Sequence, residues 1–272
     1  MIKYVLCAVF LITGLSLLLM FNHTESPSYN RVEIDFYLRR KPYIKINVDD
    51  EQYFSSFSTL TMCPLVIISD LSDQKNPQNI KTVKFGSKTI NNPNIVILKK
   101  SSETTDAPFR YQTKLKANMG LFEEDFIVID YSKDCIVTSS SEEGIVLSGY
   151  DVESWLKIPF TINEFGVLQV LVELNGNPLA MNLDTFAQTN CISSSLVSDE
   201  DEVEGIFGPS IPAKTLKIGS VYFDTEYFSV EHNLSEKIAG GVLGAPFFID
   251  HSVCFDLKNQ LVFISSEKKH LI

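Results

Sequence analysis

The sequence repeats its pattern of apolar and polar residues at a spacing of 126 positions. Residues 44–48 (IKINV) correspond to residues 170–174 (VLVEL), and residues 57–60 (FSTL) correspond to residues 183–186 (LDTF). A repeat of this kind indicates a duplicated structural unit. We therefore expect two similar halves within the 272 residues.

A second match has a different spacing. Residues 82–87 (TVKFGS) correspond to residues 215–220 (TLKIGS) with a shift of 133, as an insertion of seven residues would produce. Alternating apolar patterns align easily by chance, so this motif, in the correct order between the other matches, carries more weight. The two copies are predicted at residues 31–138 and 156–266, with a polar linker at residues 139–155.

Short strand-like runs separated by turn signals dominate both copies. Residues 32–36, 44–48 and 170–174 alternate with period two, and Asn-Gly and Asn-Pro pairs fall between such runs. A helical period is not sustained anywhere beyond the first 30 residues. With 44% hydrophobic residues, the chain can bury a large core. The body is therefore predicted to be mostly β.

The chain begins with an apolar segment that only Thr13, Gly14 and Ser16 interrupt. Lys3 precedes residues 4–21, whose 18 positions would span about 27 Å as a helix, close to the thickness of a bilayer core. No motif of small residues suited to cleavage follows, so residues 1–21 are interpreted as a membrane anchor rather than a cleaved signal peptide. Residues 22–30 (NHTESPSYN) would form a polar spacer.

This N-terminal segment also predicts the location of the body. Lys3 favours an amino terminus on the inner side, which makes the chain a single-pass membrane protein with an extracytoplasmic body, periplasmic or extracellular. If the segment is cleaved, the protein is secreted. Both alternatives export residues 31–272.

Charge and side-chain spacing exclude several classes of function. The net charge of −11 and the pI of about 4.9 argue against a nucleic-acid partner, which requires clustered Lys and Arg. The four His residues are scattered without ligand spacing, so no metal and no cofactor are expected. The acidic residues 199–202 (DEDE) are most simply a solvated loop.

The second copy contains four elements in a specific order. Asp184 and Thr185 follow a β-hairpin, and after them come residues 216–219 (LKIG), 241–244 (GVLG) and 253–257 (VCFDL). This order resembles a lobe of the retropepsin-like aspartic proteases, and two copies in one chain resemble the pepsin arrangement. The resemblance implies two β-barrel lobes, related by a pseudo-two-fold axis and separated by a cleft, after the N-terminal transmembrane helix.

The resemblance also names the candidate catalytic residues. Aspartic proteases use two carboxylates that share one proton, one from each lobe. Asp184 and Thr185 match the motif in the second copy, whereas Ser58 and Thr59 stand at the corresponding positions of the first. Because a serine hydroxyl cannot carry the negative charge, no shared-proton pair can form within one chain.

Other positions of the two loops support a retained fold without the chemistry. Leu60 and Phe186 stand where the family has a glycine that lets the backbone turn sharply. Thr59 and Thr185 are both kept, and in the family such threonines hydrogen-bond across the lobe interface.

The four cysteines after the N-terminal segment form one pair in each copy. The lobe pattern and an exported location would permit bridges between Cys63 and Cys135 and between Cys191 and Cys254. Buried free thiols that pack as small hydrophobic groups are the alternative.

Two functions from different classes remain. The first is a non-catalytic module, a degenerate protease whose interlobe cleft binds a peptide or a protein partner. The second is an active aspartic endopeptidase in which Asp184 pairs with Asp184 of another chain in a homodimer. The missing first-copy carboxylate favours the module, and whether the chain is an enzyme is left open.

Overall fold

The computed structural model describes residues 27–37, 41–62, 65–69, 80–99, 115–122, 125–198, 202–205, 208–224, 227–232, 234, 238 and 240–266. The mostly-β prediction is confirmed, since the 22 strands of these residues are linked by hydrogen bonds into one continuous sheet. Within the described part of the chain, no helix has the length and hydrophobicity needed to cross a bilayer. The predicted anchor at residues 1–21 lies outside the described residues.

The strands and helices are as follows. The first half of the chain contains β1 (Asn30–Tyr37), β2 (Lys41–Val48), β3 (Glu51–Ser58), β4 (Leu65–Ser69), β5 (Thr82–Phe85), β6 (Lys88–Asn91), β7 (Ile95–Lys99), β8 (Leu115–Asn118), β9 (Phe126–Asp130) and β10 (Cys135–Ser139). The second half contains β11 (Leu156–Ile162), β12 (Leu168–Leu174), β13 (Asn177–Leu183), β14 (Cys191–Ser193), β15 (Val203–Gly205), β16 (Gly208–Pro212), β17 (Leu216–Ile218), β18 (Val221–Phe223), β19 (Tyr227–Glu231), β20 (Gly241–Leu243), β21 (Val253–Asp256) and β22 (Leu261–Ile264). The described residues also form two α-helices, α1 (Glu142–Leu147) and α2 (Ala245–Asp250), and single 3-10 turns at Met119–Leu121, Tyr131–Lys133, Val152–Ser154 and Ser194–Leu196.

Six antiparallel strands from both halves form a central sheet in the order β1-β10-β9-β21-β22-β11. At its middle, Val128 of β9 pairs with Cys254 of β21, and these two residues are separated by the repeat spacing (254 − 128 = 126). The flanking pairs, Ile127 with Phe255 and Ile129 with Val253, exchange under the same shift. A pseudo-two-fold axis therefore passes between Val128 and Cys254.

The outer strands follow both spacings seen in the sequence. Ile44 pairs with Ser55 and Val170 pairs with Met181, so each member of the first pair shifts by 126. Asn47 pairs with Lys84, whereas Glu173 pairs with Lys217, a shift of 126 on one strand and 133 on the other. The insertion predicted between the matches therefore lengthens a connection and leaves the pairing intact.

Matching hairpins join the second and third strands of each half. The turn between β12 and β13 is made by Asn175 and Gly176, both with left-handed backbone (φ 52° and 85°). The turn between β2 and β3 uses Asp49 and Asp50 in the same conformation (φ 46° and 71°). Two consecutive left-handed residues suit the right-handed twist of a hairpin, and Asn, Asp and Gly tolerate this conformation best.

The central sheet separates two hydrophobic clusters. Ile127 and Ile129 of β9 point into the large core that fills both halves. Phe126 and Val128, on the other face of the same strand, belong to a smaller cluster with Cys254 and with Ile145 of α1. Strand alternation therefore sends neighbouring residues to opposite sides of the central sheet.

The predicted disulfides are absent. Cys135, Cys191 and Cys254 are buried free thiols, which rules out both bridges, and Cys63 itself lies outside the described residues. Cys191 pairs with Val242 of β20 in the second half, whereas Cys254 faces the smaller cluster under the central sheet. The two cysteines of the second half therefore belong to different packing layers.

Candidate functional site

Two equivalent loops meet where the halves join. Strand β3 ends at Ser58 and runs parallel to β8, with Phe57 opposite Ala117. Strand β13 ends at Leu183 and runs parallel to β20, with Leu183 opposite Leu243. Each loop therefore starts at the end of a strand that is paired on both sides, and this pairing fixes the position of the first side chain of the loop.

The threonines of the two loops exchange hydrogen bonds across the junction. Thr59 Oγ1 donates to the Leu183 carbonyl (2.7 Å) and accepts from the Thr185 N–H (3.1 Å). In the opposite direction, Thr185 Oγ1 donates to the Phe57 carbonyl (3.3 Å) and accepts from the Thr59 N–H (3.2 Å). Both threonines are fully buried. The four bonds join the backbones of the two halves through side chains alone.

Ser58 and Asp184 lie face to face beside the threonines. Ser58 Oγ donates to Asp184 Oδ1 at 2.7 Å. Each of these side chains also accepts a hydrogen bond from the backbone two residues later, Ser58 from the Leu60 N–H (3.1 Å) and Asp184 from the Phe186 N–H (2.9 Å). The sequence alignment of Ser58 with Asp184 is therefore correct in space, and a hydroxyl stands where a second carboxylate would be.

The surroundings of Asp184 favour its neutral form. Burial raises the pKa of the Asp184 carboxyl, while the Phe186 N–H, the Ser58 hydroxyl and the charge of Lys116 oppose this increase only in part. Oδ1 receives both hydrogen bonds. Among the described residues, none donates a hydrogen bond to Oδ2.

Lys116 was not identified as a site residue from the sequence. It lies on β8 opposite Ser56, with an exposed side chain, and its charge acts on Asp184. The residue at the equivalent position of the second half is Val242, since 116 and 242 differ by the repeat spacing of 126. A cation on only one side of the pseudo-two-fold axis makes the site electrostatically asymmetric.

Gly244, which follows β20 in the second half, has no room for a side chain. A Cβ on Gly244 would overlap the carbonyl oxygens of Ala187 and Thr189 in the loop that follows Asp184. The equivalent residue of the first half is Asn118, again 126 positions earlier. The first half therefore does not require glycine at this turn, a further difference between the two sides of the site.

Phe186, which replaces the expected glycine, packs onto the first half. Its ring contacts Tyr43 edge-on (centroids 6.2 Å apart), and the Lys41 ammonium lies 5.2 Å from its centre. On the other side, the Leu60 carbonyl accepts a hydrogen bond from the Leu168 N–H at 3.3 Å. The Phe186 ring therefore adds side-chain contacts across the junction, whereas the Leu60 contact is made by its backbone alone.

Tyr131 supports the junction from the central sheet. Its hydroxyl donates to the Thr185 carbonyl at 2.8 Å, and its buried ring contacts Phe36 and Phe248. Burial and the nearby charge of Asp184 raise the pKa of Tyr131 well above its usual value, which keeps the hydroxyl protonated as a donor. The sequence analysis did not identify Tyr131 as a site residue.

The structure thus brings Ser58, Thr59, Asp184 and Thr185 together, as the resemblance implied. Across the described ranges, no group of three or more His, Cys, Asp or Glu side chains could hold a metal ion. Of the acidic residues 199–202, only Glu202 is described, and the prediction of a solvated loop is otherwise untested.

Removing the Thr59 hydroxyl tests how much the crossed bonds stabilise the fold. Thr59→Val keeps the shape but leaves the Leu183 carbonyl and the Thr185 N–H buried without these partners, at about 1–3 kcal/mol each. We expect the free energy of unfolding to fall by roughly 2–5 kcal/mol in urea titrations. Thr161→Val, at an exposed position of β11, is the matched control and should change it by less than about 0.5 kcal/mol. Equal effects of the two variants would contradict the assigned role.

The ionisation of Asp184 should reduce stability at neutral pH. Its pKa is raised by folding, so the stability contributed by the neutral carboxyl is lost as the pH rises through the folded-state pKa. Asp184→Asn keeps an acceptor oxygen and removes the charge. We expect its melting temperature to exceed that of the wild type near neutral pH, with a difference that shrinks on acidification. Asp151→Asn, at an exposed position, controls for net charge, and a pH-independent difference for Asp184→Asn would contradict this prediction.

Comparisons with known proteins support the fold only. Neither a family description nor a curated protein matches the sequence. Among solved structures, basic 7S globulin from soybean has a TM-score of 0.57 at 9% identity, with 89% of this chain and 96% of that chain covered. An aspartic proteinase from Irpex lacteus has a TM-score of 0.56 at 11% identity, with 88% of this chain and 98% of that chain covered. Conglutin gamma from lupine seeds has a TM-score of 0.59 at 11% identity, with 89% of this chain and 96% of that chain covered. The chain therefore has the pepsin-like fold.

Proposed function

We propose that this chain is a membrane-anchored, extracytoplasmic protein whose interlobe cleft binds a peptide or protein partner without cleaving it. The hydrogen bond from Ser58 to Asp184 carries the proposal, because it leaves the site with one carboxylate. The pepsin-like fold supports a cleft between the halves. The N-terminal apolar run supports the anchor.

Peptide hydrolysis by this fold needs an acid and a base at the same time. One carboxylate takes a proton from the attacking water, while its protonated partner donates to the carbonyl oxygen of the peptide bond. The Ser58 hydroxyl donates its proton to Asp184, and a neutral hydroxyl is too weak a base to take a proton from the attacking water. Asp184 alone can take one of the two roles and leaves the other unfilled.

The contacts of the junction favour a binding role. The four threonine bonds, which join the two halves, are all present without the second carboxylate. Lys41 and Lys116 add positive charge on the first-half side. Residues 31–138 contain 15 Lys and Arg against 14 Asp and Glu, whereas residues 156–266 contain 5 against 14. A bound chain would therefore lie between a nearly neutral first half, which carries Lys41 and Lys116 near the site, and an acidic second half, which favours a partner of mixed charge in one orientation.

A homodimeric peptidase is the alternative. It requires Asp184 of a second chain to approach Asp184 of the first, but Ser58 already occupies that place at hydrogen-bond distance. Displacing Ser58 would also break the threonine bonds of the adjacent residues. No contact of the described residues favours this arrangement over the single-chain site.

The full-length chain in detergent should not cleave unfolded casein between acidic and neutral pH. Asp184→Asn should match the wild type, and a statine peptide that mimics the transition state should have no effect. Activity that rises with the square of concentration and disappears in Asp184→Asn would establish the homodimeric peptidase instead. The triple variant Ser58→Asp with Leu60→Gly and Phe186→Gly supplies the second carboxylate and the two glycines of the motif. Cleavage of casein by this variant would show that only the chemistry is missing from the wild type.

Peptide binding should depend on the cleft. Random peptides displayed on phage are selected for binding to the full-length chain. Their affinity for Lys116→Glu, which reverses a charge at the site, should be at least tenfold weaker. A tenfold loss corresponds to about 1.4 kcal/mol of binding free energy. Lys157→Glu is the matched control, because Lys157 lies over the Phe263 ring in the central sheet, away from the Asp184 loop. Selection of no peptide, or equal binding to both variants, would contradict the proposed function.

A further inference from the structure

The two faces of the central sheet carry different parts of the molecule. Tyr131 belongs to the large core and donates to Thr185, so the threonine junction and Asp184 lie on that side. The smaller cluster on the opposite face is covered by residues 142–155, which include α1 and are called the basal segment below. The candidate site and the basal segment are therefore on opposite sides of the central sheet.

The chain enters the body beside the basal segment. Ser139 Oγ donates to the Ser28 carbonyl at 2.7 Å. Gly144 of α1 packs so closely against Ser28 and Ser139 that a Cβ there would overlap both. Only seven positions separate Ser28 from Phe21, the last residue of the apolar run, and they can span no more than about 25 Å.

Apolar side chains of the basal segment are exposed at this end. Val146 and Leu147, consecutive in α1, are 50% and 61% exposed. Tyr29, next to Ser28 in the chain, is 46% exposed. Trp155, at the end of the basal segment, is half-buried and packs edge-on against Tyr150. Aliphatic residues accompanied by Tyr and Trp are typical of surfaces that lie in the boundary between lipid head groups and acyl chains.

From the position of Ser28 and the exposure of these side chains, we propose that the basal segment lies on the membrane surface and that the interlobe cleft opens away from it. The proposal rests on the membrane anchor of the proposed function. Two exposed aliphatic side chains bind lipid weakly on their own, but a short tether holds them at high effective concentration beside the bilayer. Glu142 and Glu143, at the start of α1, disfavour anionic lipid, so the surface fits a neutral bilayer.

The test uses the only tryptophan of the chain, Trp155. The full-length protein is reconstituted into neutral phosphatidylcholine vesicles with and without a nitroxide-labelled phosphatidylcholine that quenches at the head-group boundary. We expect the label to reduce Trp155 emission. In the matched reporter, Trp155→Phe with Phe186→Trp, the tryptophan lies beside Asp184, and its emission should not change.

Two further variants separate the possible results. Val146→Ser with Leu147→Ser should weaken the quenching of Trp155 while the protein still floats with vesicles. Leu171→Ser, which changes a leucine of β12 that is even more exposed than Leu147, should have no effect. Flotation without quenching of Trp155, or stronger quenching of the Phe186→Trp reporter, would overturn the proposed orientation. Failure to float would instead disprove the anchor and leave the peptide-binding experiment unaffected.

Discussion

The crossed hydrogen bonds of Thr59 and Thr185 are the interaction on which the arrangement of the two halves depends. Each hydroxyl reaches the backbone of the other half, donates to one carbonyl and accepts from one N–H. These bonds place the preceding residues, Ser58 and Asp184, at hydrogen-bond distance. Because both threonines are fully buried, neither half can move without leaving polar groups unsatisfied.

The contacts that hold this fold together do not require a pair of carboxylates at the site. The threonine bonds, the Tyr131 support and the central sheet do not involve the missing carboxylate, so its replacement by Ser58 leaves them intact. Phe186, at one of the two positions where glycine was expected, packs on Tyr43. The fold is therefore compatible with a site that has only one carboxylate.

The sequence predicted what depends on periodicity and failed where packing decides. Two spacings, 126 and 133, anticipated the strand registers and the meeting of Ser58 with Asp184, because equivalent positions of a repeat occupy equivalent places. Lys116 escaped notice because its nearness to Asp184 depends on which strands are neighbours. The disulfide prediction for Cys191 and Cys254 failed because alternation does not reveal which side of a central sheet a residue faces.

The pairing of Val128 with Cys254 on the pseudo-two-fold axis has an evolutionary consequence. In a dimer of identical single lobes, this position would face its own copy, and every mutation would appear on both sides of the axis. Joining the copies in one gene releases that constraint, so that valine can face cysteine. The same release allows Ser58 to face Asp184, an asymmetric pair that identical subunits could not present.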